Sequence, residues 1–78
     1  MNPEEIERIL RAAMEDAEVV VEGDGRHFQA LIVSPSFEGK PPLKRHRMVY
    51  GVLREHIDSE ALHAISMRTL TPAEREAG

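Results

Sequence analysis

The chain has 78 residues, no cysteine, 41% hydrophobic residues and a formal net charge of −4. That length makes one domain, residues 1–78, near the lower limit for folding without staples. The missing thiols exclude disulfides, thiolate zinc sites and thiol catalysis. The acidic balance argues against general binding to nucleic acid or anionic membranes, and no apolar run reaches membrane-spanning length, so a soluble cytoplasmic protein is expected.

Asn2-Pro3-Glu4-Glu5 predicts a helix start, with Asn2 as cap and Pro3 at the first helical position. Ile6, Ile9, Leu10, Ala13, Met14 and Ala17 then make an amphipathic stripe. Val19-Val20-Val21 puts a short strand over Glu18 to Glu22, and Gly23-Asp24-Gly25 signals a hairpin. The return strand, His27 to Val33, is apolar on both parities and is expected to be central and largely covered. Ser34 to Pro42 carries three prolines and Gly39 and is expected as a loop.

The segment Leu43 to about Asp58 predicts the central helix. Leu43, His46, Val49, Tyr50, Leu53 and Ile57 share about a third of its circumference and are expected to face the core. Lys44, Arg47 and Arg54 point away. Within that stripe His46 reads as a hydrogen-bonded core histidine, and His56 as exposed near the helix end. Leu62 to Leu70 predicts a third strand with Ile65 and Met67 inward and Ser66 and Arg68 outward. Thr71-Pro72-Ala73-Glu74 is a capping signature for a short final helix.

The order α-β-β-α-β-α predicts an α+β fold with helices packed on a three-stranded mixed sheet. A strand–helix–strand crossover makes its two strands parallel, so both begin at one edge of the sheet. Those beginnings are His27 and His63. If the strands are neighbours, the two imidazoles fall ~5–10 Å apart. Imidazole is a common metal ligand, and two of them would make an open half-site needing ligands from another molecule. On spacing alone, the plainer reading of two polar residues at strand edges is the stronger one.

Lys40, Lys44, Arg45 and Arg47 form a local basic patch, either a binding surface for phosphate or an acidic partner, or a solvated helix face. The glycines fall at 23, 25, 39, 51 and 78, so no GXXG loop is present. There is no nucleophile elbow, phosphate-binding glycine loop or HExxH motif, and no enzymatic activity is expected.

Taken together, His27-Phe28, Val33-Ser34 with Phe37-Glu38-Gly39, Arg45-His46-Arg47 with Val49-Tyr50, His63-Ala64 and Leu70-Thr71-Pro72 resemble the BolA family from about Ile6 to Glu74. The Gly23-to-Phe28 hairpin is most similar to its short, acid-stress-related bacterial branch. Arg75 stands where relatives often carry tryptophan. The resemblance implies a class II KH-like core. It also implies a monothiol glutaredoxin partner and a bridging 2Fe-2S cluster, to which the glutaredoxin and its glutathione bring thiolates. His63 matches the family's histidine ligand, and His27 is the candidate for the ligand from the loop between the first two strands. Mixed cysteine and histidine ligation has a precedent in Rieske centres. The outputs expected are iron–sulfur trafficking or iron, redox or acid-stress regulation, with the isolated chain a monomer. DNA binding as a transcriptional regulator, through Lys44, Arg45 and Arg47, is the alternative.

Overall fold

A computed structural model describes all residues from Met1 to Gly78, and its first helix begins where the sequence signals it. The Asn2 side chain accepts the Glu5 amide at 2.9 Å, which caps α1 (Pro3–Ala13). Ile6 and Leu10 on its inner face are fully buried, and Met14 closes the stripe.

Strands β1 (Glu18–Gly23) and β2 (Phe28–Val33) pair antiparallel, with Val20 opposite Leu31 and Gly23 opposite Phe28. That register leaves a four-residue loop, Asp24 to His27. Gly25 turns it with φ +94°, a conformation that suits glycine. Gly23 is required for a different reason: a Cβ there would lie 2.4 Å from the His27 carbonyl oxygen and 2.7 Å from the Phe28 ring.

The expected loop after β2 contains a single 3-10 turn, Pro35–Phe37, capped by Ser34. It drives Phe37 wholly into the core. Asp16 ties this turn to the end of α1 by accepting the Ser36 hydroxyl at 2.7 Å and the Ser34 hydroxyl at 3.1 Å. Those bonds, the one from Ser36 foremost, hold its carboxyl below the usual range.

The remaining elements are α2 (Pro42–Leu53), α3 (Ser59–His63), β3 (Ile65–Leu70) and α4 (Pro72–Ala77). The sheet order is β1-β2-β3, with β2 and β3 parallel, as the crossover requires. One sheet face carries Val19, Val21, Phe28, Ala30, Ile32 and Ile65 into a core completed by Ile6, Leu10, Val49 and Leu53 of the helices. Truncating Ile6, Leu10, Ile32 or Leu53, all fully buried, to alanine costs ~2–5 kcal/mol. The opposite face is open over Val20, Gln29 and Ser66, so β2 is central but covered on one side only. No helix is long and apolar enough to cross a membrane.

Three expectations are corrected. The central helix ends at Leu53 rather than near Asp58, although Ile57 stays buried in the turn that follows. Leu62 and His63 lie in α3 rather than in the third strand, because Asp58 caps a new helix by accepting the Ala61 amide at 2.8 Å. An acid after a helix end can open the next one, and short-range pattern does not separate the two cases.

The core stripe of α2 holds at Val49 and Leu53, both buried, but shifts at its start: Arg45 is buried, Leu43 is 63% exposed, and His46 and Tyr50 are half-buried. No hydrogen bond reaches the His46 ring. Arg45 takes the inward position because it finds a partner for its charge there. Its Nε donates to the Lys40 carbonyl at 2.7 Å and its Nη1 to the Thr69 carbonyl at 3.1 Å. The guanidinium also lies 5.8 Å from the centre of the Phe37 ring. A buried arginine needs this many partners, and all come from elsewhere in the chain.

Candidate functional site

The β1–β2 loop and the α3–β3 junction meet at one edge of the sheet. The Phe28 amide donates to the Ala64 carbonyl at 2.9 Å, and Phe28 stands opposite Ile65 in the parallel register. His27 immediately precedes Phe28, and His63 immediately precedes Ala64. The backbone therefore brings the two histidines to the same end of neighbouring strands. His27 does so from the hairpin loop and His63 from the last residue of α3, neither of them within a strand.

Asp24 holds the loop in shape. One of its carboxylate oxygens accepts the His27 amide at 2.9 Å and the Arg26 amide at 2.8 Å, while the Asp24 amide donates to the His27 carbonyl at 3.2 Å. The amide of His27 first, then that of Arg26, keep the Asp24 carboxyl below its ordinary range. Asp-Gly in a turn is a signal for such a side-chain-to-backbone bond, and the role of Asp24 in fixing His27 follows from it. A shallow hollow beside the loop is lined by Arg26, His27, Phe28, Asp58, Glu60 and Ala64, among others.

Both imidazoles are exposed, and neither ring takes part in a hydrogen bond within the chain. Exposure of this kind fits two polar residues at a sheet edge and equally fits two donors to a second molecule. No three His, Asp or Glu side chains converge on one point. Two imidazoles make no closed site, and a metal held at this edge would need its other ligands from a second molecule.

The basic patch is smaller than the sequence suggests. Lys44 and Arg47 are exposed on α2, and Lys40, half-buried, donates to the Ser36 carbonyl at 2.8 Å. Arg45, expected among them, is only 7% exposed and spends its charge on Glu74, with Nη1 to Oε1 at 2.6 Å. Arg45 is a structural cation and is withdrawn from the surface patch.

A family model described as BolA-like protein matches residues 2–74. Acid stress protein IbaG of Escherichia coli K12 is 42% identical over 74 residues, which cover 95% of this chain and 88% of that one. The DNA-binding transcriptional regulator BolA of the same organism is 40% identical over 83 aligned positions, 94% of this chain and 78% of the relative. Among solved structures, a BolA homologue from Coxiella burnetii matches with a TM-score of 0.85 at 39% identity, covering 97% of each chain.

Proposed function

This chain belongs to the BolA-like family, and we propose that it acts as the histidine-donating partner of a monothiol glutaredoxin around a shared 2Fe-2S cluster. The observation that carries this reading is the Phe28–Ala64 backbone bond, flanked by two exposed and unbonded histidines in a chain without cysteine. His63 and His27 would hold one side of the cluster, and the partner with its glutathione would bring the thiolates. Such a cluster supplies one-electron chemistry and a transferable iron–sulfur unit. The chain's own contribution is to place two imidazoles at one end of neighbouring strands, with Asp24 fixing the loop that carries one of them. Cytoplasmic iron–sulfur trafficking, or iron, redox or acid-stress regulation, is the role this suits. The relative named acid stress protein IbaG supports the stress branch.

The test is anaerobic cluster reconstitution with a monothiol glutaredoxin and glutathione, followed by visible absorption and circular dichroism. A mixed complex with a spectrum distinct from the glutaredoxin homodimer, lost in His63→Ala and altered in His27→Ala, supports the proposal. A homodimer spectrum left unchanged by wild type and both variants overturns it.

A second reading, DNA binding through a KH-like surface, is favoured by one relative's name and by the exposed Lys44 and Arg47. Burial of Arg45 removes one of its cations. Phosphate contacts would make affinity for duplex DNA fall steeply with salt, and Lys44→Glu with Arg47→Glu would abolish it. Flat salt dependence would dismiss this reading.

A further inference from the structure

One arginine guards each free edge of the sheet, and the two guards differ in strength. At β3, Arg45 donates to the Thr69 carbonyl and is itself buried and clamped by Glu74. At β1, Arg11 Nη2 donates to the Val19 carbonyl at 3.0 Å. Its side chain is 59% exposed, and its one ion partner is Glu7, a turn earlier on the same helix. The β1 edge is the weakly closed one.

The ladder shows which groups that edge offers. The Asp24 amide bonds the His27 carbonyl at the loop, so by alternation Glu22–Gln29, Val20–Leu31 and Glu18–Val33 exchange hydrogen bonds across the hairpin. Val19 and Val21 then turn their amide and carbonyl groups outward, and the bond from Arg11 to Val19 agrees with that direction. On the open sheet face the same strand shows Glu18, Val20 and Glu22 in a row. Val20 is 48% exposed, one of the few large hydrophobic side chains left in water. Glu22 has no ion pair, and Glu18 is paired only at the surface, with Arg75.

We propose that the outer edge of β1 accepts an added strand from a partner protein, an extended segment with basic, apolar and basic residues at alternate positions. Its backbone would complete the ladder at Val19 and Val21. Its side chains would meet Glu18, Val20 and Glu22 across the strand pair. A second copy of this chain is a poor occupant. Antiparallel self-pairing with Val20 opposite Val20 sets Glu18 against Glu22 twice. A slip of two residues sets Glu18 against Asp24, or Glu22 against Asp16. Like charges directly opposed are destabilising, so the edge rejects itself while inviting a basic strand.

The probe is a synthetic peptide, Thr-Lys-Thr-Val-Thr-Lys-Thr, titrated into isotope-labelled protein at low salt and followed by amide NMR. Shifts centred on Val19 and Val21, with binding at least tenfold weaker for the peptide bearing Glu in place of Lys, are expected. Arg11→Ala should tighten binding several-fold by opening the edge. A chemically synthesised chain N-methylated at Val21 loses the outward donor without touching the ladder to β2, and should lose the response. Glu22→Lys, an exposed change, leaves one acid and one base in the row and should erase the preference for the Lys peptide over the Glu peptide, even if the methylated chain folds poorly. Absence of shifts at Val19 and Val21, or indifference to both changes, overturns the proposal, as does dimerisation through β1 without peptide.

Discussion

Arg45 and Glu74, twenty-nine residues apart in the chain, meet as a two-pronged ion pair, Nη1 to Oε1 at 2.6 Å and Nη2 to Oε2 at 3.1 Å. Glu74 also accepts the Thr71 amide at 2.9 Å, while the Thr71 hydroxyl accepts the Glu74 amide, which closes the capping box of α4. One carboxylate thus starts the last helix and pairs with the buried cation of α2. No residue of α4 is buried, so polar contacts hold this helix in place.

Removing the cation should be costly. Arg45→Met strands the Thr69 and Lys40 carbonyls and leaves Glu74 unpaired. Thermal melts should show Tm lower by on the order of 10 °C. Arg45→Lys should recover only part, since one ammonium cannot reproduce the fork. Arg47→Met, on the exposed side of the same helix, should leave Tm nearly unchanged. Equal effects at the two positions would refute the clamp.

Acid should loosen the same joint. Pairing with Arg45 first, and the Thr71 amide second, lowers the Glu74 carboxyl from 4.5 to about 2. A folded-state value below the unfolded one means the contribution is complete above 4.5 and is lost as pH falls toward about 2. Asp16 and Asp24, also lowered, add to the same acid limb. Urea midpoints measured against pH should fall through this window, and the Glu74→Gln variant should show a shallower fall. An identical slope in that variant would contradict the assignment.

Two glycines should respond in opposite directions. Gly23→Ala forces a Cβ onto the His27 carbonyl and the Phe28 ring, and should destabilise by ~1–3 kcal/mol. Gly51, within α2, has nothing within 4 Å of an added Cβ, and Gly51→Ala should stabilise by ~0.5–1 kcal/mol. Denaturant titration of both variants checks the contrast.

The histidines should separate function from folding. His27 and His63 are exposed and make no side-chain hydrogen bond, so alanine at either should change stability by no more than ~0.5 kcal/mol. Asp24→Ala removes the acceptor that fixes the His27 amide, and should cost ~1 kcal/mol while leaving His63 in place. A large loss of stability in His63→Ala would mean that the ring has a structural task.

Much of this molecule was legible in its residues. Caps at Asn2 and Thr71, the helical stripe from Ile6 to Met14, the valine run and the Asp-Gly turn act over a few residues. They fix elements wherever the chain goes. The order of the strands, with the rule for crossovers, brings His27 and His63 to one edge of the sheet, although α3, which carries His63, was not legible in the pattern. The motif set also pointed to the BolA-like family, to which the chain belongs.

Tertiary structure decided what local pattern could not. Hydrophobic periodicity treats arginine as a surface residue, and it set Leu43 and His46, rather than Arg45, beside Val49 and Leu53. The inward turn of Arg45 depends on Glu74, Thr69 and Lys40, none of which shares its helix. Capping by Asp58 moved His63 from a strand into α3, and the open face of the sheet was hidden by the apolar parity of β2. Short-range propensities are set by neighbours in sequence. Burial of a charge, and the exposure of an edge, are set by partners that only folding brings within reach.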